Sequence, residues 1–524
     1  MSSLSHSGWQ VLLTLFVACA AWGFFRRQTA RNIMNKIPGP RAPSWLKGNY
    51  ADVFGPGWDF HSMLRTKYGP TSTFSNLFGQ KYLYTFDPKA MHQILVKDQS
   101  TFEEQPAFIE TNKLIFGLGL LSTLGDHHRK QRKMLNPVFS VAHMRNMLPM
   151  FHNIVHKLKD TIARKVSSGE QEIDILSWSS RTALELIGQA GLGYSFDPLT
   201  DEQHAHPYAA AIKELIPLQA RMTWARVYIV VPLVRIFPQW FLRFLAHHVP
   251  IRDLQRSREL SSIMWNLSTD IYRGKLRALE AGDSAVVEQI GSGKDIISIL
   301  MNENMKASEE EKLDEDEIIG QNLDVQSKLR QEFRAAREAR DGEDLPYDEL
   351  VSLPYLDAVC RETLRLHAPI SRVIRTTTKD TSLPLSAPIR CEDGSLISEI
   401  PLAANTDIYI SILNANRNVD LWGPDALEWK PERWLSPLPQ AVADAKIPGV
   451  YSHLMTFIGG GRSCIGFKFS QLEMKAVLFH LVEKFEFKPS EKEIYWMNNG
   501  IVNPMVKAGG KGGPQLPIKI ELAK

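Results

Sequence analysis

Apolar residues recur at three- and four-residue spacing among charges from Met150 to Lys165, and again from Leu254 to Leu279. That period gathers them on one helix face, so both stretches are predicted to be amphipathic helices. Two-residue alternation is shorter and scattered; Lys81–Phe86 and Thr406–Ser411 read as strands. No self-similarity recurs at a period of roughly 20 to 50 residues. No Gly- and Ser-rich linker marks a second domain, so the body reads as one large, mainly helical domain with a minor sheet component. Val227 to Phe237 (VYIVVPLVRIF) is mostly apolar, too short to span a bilayer and interrupted by Pro232. It reads either as a core segment or as a membrane-facing lip over a substrate entrance.

Trp9 to Phe25 carries no charge, and its clearly polar members are Gln10 and Thr14. As a helix it would reach roughly 25 Å, close to the thickness of a thin bilayer such as that of the endoplasmic reticulum. Arg26, Arg27, Arg31 and Lys36 follow it and no Lys or Arg precedes it. The positive-inside rule therefore predicts a single-pass anchor over residues 1–30, with residues 31–524 cytosolic at the endoplasmic reticulum membrane. A cleaved signal peptide is the rival reading, because Ala18-Cys19-Ala20 resembles a small-residue cleavage site. The charges flank the segment on the wrong side for it. Beyond the anchor, Ile37-Pro38-Gly39-Pro40-Arg41-Ala42-Pro43 is stiffened by its prolines and reads as a linker or as a hinge that orients the following domain.

Composition narrows the class. Of 524 residues 44% are hydrophobic and 23% charged, which excludes a disordered or collagen-like chain. Sixty-one basic against 58 acidic residues leave a formal charge of +3, no field to recruit nucleic acid. The four cysteines, Cys19, Cys360, Cys391 and Cys464, are far apart, which excludes a disulfide scaffold or zinc ribbon.

One cysteine stands in an unusual setting: Phe457-Ile458-Gly459-Gly460-Gly461-Arg462-Ser463-Cys464-Ile465-Gly466. The glycines permit a tight loop. An apolar-periodic run follows at Phe467, Leu472, Met474, Val477 and Leu478, so Cys464 is expected at a helix N-terminus, where exposed amides and the helix dipole favour thiolate over thiol. Arg462 adds a fixed cation suited to a carboxylate. A thiolate beside a group with acidic arms describes haem and its propionates; the bland reading is an inert buried cysteine.

Phe457, Gly460, Arg462, Cys464 and Gly466 resemble the haem-binding signature of the cytochrome P450 family, Phe-x-x-Gly-x-Arg-x-Cys-x-Gly. Three further motifs follow the family's order. Glu362-Thr363-Leu364-Arg365 resembles its Glu-x-x-Arg pair, and Pro431-Glu432-Arg433-Trp434 its Pro-Glu-Arg-Phe/Trp segment. The resemblance implies a buried structural triad of Glu362, Arg365 and Arg433. Gly125 to Arg132 is similar to Gly-x-x-Trp-x-x-x-Arg, with Arg132 matching and His128 in place of the tryptophan; an imidazole can still donate to a propionate. The alternative is that His127, His128 and Arg129 to Lys133 form only a basic surface patch. Arg372 and Arg375 both lie where the family places another propionate-binding arginine.

The resemblance implies a mainly α fold with small β-sheets, haem b with Cys464 as iron ligand, and a monooxygenase that inserts one atom of dioxygen into a small apolar organic substrate. Electrons would come from NADPH through NADPH-cytochrome P450 reductase, docked near Lys130, Arg132, Lys133 and Lys468. Phe108, Ile115, Phe116 and Leu118 within Pro106–Gly119, together with Ile501-Val502, would line the substrate pocket or simply fill a core.

One family element is missing. The central helix that carries Ala/Gly-Gly-x-Asp/Glu-Thr has no match; the nearest string, Ala190-Gly191-Leu192-Gly193-Tyr194, is too early and lacks acid and threonine. Asp314–Gln321 resembles the lead-in to that helix, and Leu323–Arg330 resembles the helix after it. A helix of roughly thirty residues, about 45 Å long, is thus expected to be deleted near 321–323, leaving no distal acid–threonine pair. Glu309 to Arg340 could instead run as one polar helix with Ile318, Leu323, Leu329 and Phe333 as a seam. The alternative function is a non-catalytic or truncated haem-binding isoform, and beyond that a chain that does not fold fully.

Overall fold

The computed structural model describes residues 33–55, 57–200, 206–280, 323–499, 501–507 and 513–523. Its contacts group into two compact units, each woven from separate stretches of chain. The first comprises the described residues up to Gln105, with Ser371–Gly423 and Gln440–Arg462; the second comprises Pro106–Ile370, Pro424–Pro439 and the chain from Ser463 onward.

The first unit is built on a five-stranded sheet: β1 (Thr71–Ser75), β2 (Lys81–Thr85), β3 (Phe102–Glu104), β4 (Arg372–Thr377) and β5 (Asp407–Ser411), in the order β1-β2-β5-β4-β3. Both strands expected from alternation are present, and β2 and β5 pair in parallel, Tyr84 opposite Tyr409. β5 is buried along its whole length rather than on one face, as is the edge strand β1. Phe74, Tyr84 and Tyr409 fill one side, with the Tyr84 and Tyr409 rings stacked 5.1 Å apart.

The second unit is mainly helical: α1 (Pro106–Phe116), α2 (Gly125–Leu135), α3 (Val141–Ser167), α4 (Pro207–Arg221), α5 (Arg252–Glu280), α6 (Leu323–Glu338), α7 (Pro354–Leu366) and α8 (Phe467–Lys484). α3 and α5 contain the two stretches predicted from periodicity and extend both. Ser140 caps α3, its hydroxyl accepting from the His143 amide. The main core joins α3, α6 and α8, with Phe151 against Phe469 and Phe333 against Phe479 at ring distances of 5.1 and 5.0 Å. Leu329 and Phe333 do form an apolar seam on α6, joined by Val325; the part of that expected helix from Glu309 to Asn322 lies outside the described residues.

Two expectations need correction. α8 is not amphipathic in its packing: Glu473, Lys475 and His480 are buried along with its apolar residues. α3, α6, α7 and the short helix Tyr347–Ser352 surround it, so its polar groups find partners inside the unit. Lys475 Nζ, for example, donates to Val351 O and to Asp357, each at 2.6 Å. Val227–Phe237 is not a core segment either. Val231 is buried, but Ile229, Ile236 and Phe237 are exposed, as are the nearby Trp224, Trp240 and Phe244. An apolar run by itself does not distinguish a protein interior from an apolar surface.

Among the described residues no helix is long and apolar enough to cross a membrane. The anchor expected at Trp9–Phe25 lies outside the described residues, as do the lead-in Asp314–Gln321 and the join before Leu323.

Candidate functional site

The cysteine loop starts in the first unit. Phe457 is buried against Tyr451, with ring centroids 6.0 Å apart. Gly460 has φ of +77°, and a Cβ there would sit 1.8 Å from the Leu95 carbonyl oxygen, so both conformation and contact require glycine. The Gly461 amide donates to Gln99 Oε1 at 3.0 Å. Arg462, its side chain largely buried, faces Glu103 at 3.9 Å. Burial raises the Glu103 pKa, and Arg462 offsets only part of that rise.

The loop continues into the second unit, where Arg132 on α2 donates to the Ser463 carbonyl and hydroxyl at 2.5 and 2.9 Å. Arg132 thus fixes the residue before Cys464, and it is turned inward instead of joining a basic surface. His128 lies one turn earlier on the same helix face and is buried with Gln131 and Leu135. Lys130 and Lys133 occupy the opposite, exposed face, whereas Lys468 is half-buried with its ammonium 5.8 Å from the Phe467 ring centre. Cys464 is half-buried and forms no disulfide. It stands two residues before Gly466, the cap of α8, and so lies just ahead of the first turn rather than on it.

Strand alternation puts Arg372 and Arg375 on opposite faces of β4. Arg372 packs its guanidinium over the Phe54 and Tyr409 rings. Arg375 is buried; its Nη1 donates to Glu104 at 2.7 Å, the residue opposite it in the β3–β4 register. Its Nη2 is buried without a hydrogen-bond partner.

Glu362, Arg365 and Arg433 are brought together in the second unit. The fully buried Glu362 carboxylate accepts from Arg365 Nε at 2.9 Å and Nη2 at 2.8 Å, and from Arg433 Nε at 3.4 Å. Two donors the sequence did not assign complete the shell: the Lys430 amide at 3.0 Å and Trp434 Nε1 at 2.9 Å. Arg365 also donates to the Ala426 and Glu428 carbonyls, and Arg433 to Asp425. Burial raises the Glu362 pKa, but the Arg365 hydrogen bonds and charge, with the Lys430 and Trp434 donors, outweigh it and hold the carboxyl below its usual range.

Sequence reasoning also missed Glu103, Glu104 and Ser463. Nothing local marks them; they are partners only through sheet register or helix placement. In the expected substrate region, Phe108 and Leu118 are exposed. Ile115 and Phe116 pack instead on Leu215, Leu218, Leu260 and Met264 between α4 and α5.

The residues present fit a haem. The unbonded Nη2 of buried Arg375 offers a donor to a propionate. Gly466 has an ordinary φ, and a Cβ there would meet only the Phe139 ring, at 3.8 Å, so no described protein atom demands glycine at that position; a flat cofactor against the loop would. Cys464 supplies the sulfur.

Comparison with known proteins points the same way. The family profile described as Cytochrome P450 matches residues 37–324 and 319–508, two pieces that overlap at the join near Leu323. Similar relatives include Cytochrome P450 monooxygenase 91 of Postia placenta, 47% identical over 98% of this chain and 99% of the relative. Ganoderic acid synthetase CYP5150L8 of Ganoderma lucidum is 40% identical over 97% and 98%, respectively. The alignment to the first runs over 543 positions while only 98% of 524 residues take part, so about thirty positions have no counterpart in this chain.

Proposed function

The chain belongs to the cytochrome P450 family of haem-thiolate monooxygenases, and from that premise we propose that it inserts one atom of dioxygen into a small apolar organic substrate, with electrons from NADPH through a separate reductase. The observation that carries this reading is the cysteine loop: a half-buried Cys464 outside any disulfide directly follows the serine that Arg132 holds by two hydrogen bonds.

In this reading Cys464 is the iron ligand, and Phe457, Gly460 and Gly466 shape the loop around it. When bound, the haem supplies dioxygen activation, with the thiolate donating electron density that favours O–O cleavage. Arg375, Arg462 and His128 hold the propionates, and Arg132 positions the loop. Arg375 is preferred over Arg372 because it is the one with a buried donor to spare. Glu362, Arg365 and Arg433 hold the protein behind the loop. Residues 1–30 anchor a domain of residues 31–524 to the endoplasmic reticulum membrane, and the exposed Trp224, Ile236, Phe237 and Trp240 rest on the lipid. Lys130 and Lys133 meet an acidic reductase, so reduction should slow as salt is raised.

The second reading for this form is a haem-binding isoform that does not turn over; its basis is that no Ala/Gly-Gly-x-Asp/Glu-Thr string occurs in the sequence. Reduced protein with carbon monoxide should give the thiolate-type Soret band, and Cys464→Ala should abolish it. An unchanged band in Cys464→Ala would overturn the ligand assignment. With reductase and NADPH, oxygenated product supports the monooxygenase reading; NADPH consumption without product would leave the second.

A further inference from the structure

Away from the cysteine loop, three separate stretches of the second unit bring His152 and His156 of α3, His480 of α8 and Asp344 together. His152 Nδ1 lies 2.8 Å from His480 Nε2. The Asp344 carboxylate is 4.0 Å from His152 Nδ1 and 3.9 Å from His480 Nε2. One ligand atom from each of the three residues falls within 4.8 Å of the others. A tetrahedral zinc with bonds of about 2.0–2.1 Å needs donors about 3.3 Å apart, so closing the widest separation by at most about 1.5 Å would complete the set.

The hydrogen bonds fix which nitrogens are available. His152 Nε2 donates to the Leu345 carbonyl at 2.9 Å, which leaves its Nδ1 lone pair directed into the cluster. His480 is fully buried and its Nδ1 has no hydrogen-bond partner. Moving its proton from Nε2 to Nδ1 therefore sacrifices only the bond to His152, the one a metal would replace. Burial lowers the pKa of both His152 and His480 and keeps both rings neutral at pH 7, the form that ligates metal.

The surroundings orient the carboxylate. His156 Nε2 bonds to Asp344 Oδ2 at 2.8 Å, and Arg337 Nη1 to Oδ1 at 3.1 Å. The opposing charges are limited: Arg337 is also paired with Glu483 at 2.8 Å, and Lys159 Nζ lies 2.9 Å from His156 Nδ1, on the far side of that ring. Asp344 and His156 are partly exposed, so the cluster can be reached from solvent.

We propose that His152 Nδ1, His480 Nε2 and the Asp344 carboxylate form a binding site for one divalent transition-metal ion of the zinc class, with solvent as fourth ligand and His156 and Arg337 holding the carboxylate. Two imidazoles and one carboxylate select zinc-like ions over magnesium or calcium, which take oxygen donors. Such an ion would tie α3 and α8 to the turn before Tyr347.

The test is equilibrium titration of untagged, chelator-stripped full-length protein with ZnCl2, with bound zinc counted by elemental analysis and haem content read separately. One zinc per chain is expected, unaffected by excess Mg2+. Asp344→Asn should weaken binding at least about tenfold, and Glu343→Gln, at the exposed neighbour, should not. Co2+ in place of zinc should give the intense visible bands of a four-coordinate site. Retention of no zinc, or equal affinity in wild type and Asp344→Asn, would overturn the assignment. His152→Gln is a second probe of the site; if it does not fold, Asp344→Asn on its partly exposed turn decides alone.

Discussion

Two buried polar clusters of the second unit solve the same problem differently. Around Glu362, one carboxylate receives five donors, and the two arginines spend their remaining N–H groups on carbonyls and on Asp425. Around His480, a fully buried ring leaves one nitrogen unbonded and shares its other with a second histidine. The first cluster is electrically closed and carries charge. The second sets neutral imidazoles beside the Asp344 carboxylate, with one ligand atom of each facing the others. A saturated charge network is costly to break and has nothing left to offer a ligand. An undersatisfied one is what a metal or proton could complete.

The largest effect should come from opening the closed cluster. Glu362→Ala strands two buried guanidinium groups and should cost about 3–5 kcal/mol in urea denaturation. A value near zero would mean the network is not intact. Trp434→Phe removes one neutral donor from the carboxylate and should cost about 1.5–3 kcal/mol, since the other four remain.

Acid separates the clusters by pH. Histidines held neutral by burial bind fewer protons folded than unfolded, so stability is present above about pH 6.5 and falls as pH drops below it. The slope is at most about 1.4 kcal/mol per pH unit for each such ring. Glu362, whose pKa is depressed, contributes stability above its unfolded value of 4.5 and loses it only below that, as pH falls through its folded pKa. His61, lowered to about 4 chiefly by burial and then by Arg372, adds to the first window. The useful measurement is therefore the difference between wild type and His152→Gln, whose pH slope from 6.5 to 5 should be shallower. The smallest effect should come from the exposed Arg145–Asp348 pair, 2.9 Å apart but in water; Arg145→Ala should leave the denaturation midpoint unchanged.

The two clusters also differ in how much of them the sequence disclosed. Glu362 and Arg365 are three residues apart on one helix, and it was the family resemblance, through the Pro431–Trp434 motif, that joined Arg433 to them. Trp434 was in the quoted motif, yet its role as a donor follows only from where Pro431–Leu435 folds. His152 and His480 are 328 residues apart, and nothing near either signals the other. The cysteine loop was likewise legible, while Arg132's grip on Ser463 and the separation of Arg372 from Arg375 required helix placement and strand register.

By itself the sequence determined the family and the helical class with its small sheets, and it carried the expectations of Cys464 as iron ligand and of a helix deleted near 321–323. Each is a property of residues adjacent in the chain or of a motif's spacing. Only the tertiary structure decided which arginine of the 372/375 pair is buried with a donor to spare, that α8 hides its polar residues, that Val227–Phe237 is an apolar surface and that His152, His156 and Asp344 meet at His480. Those are facts of burial and long-range contact. They depend on which surfaces pack together, and a chain's local pattern records only that a surface is apolar or polar, not what covers it.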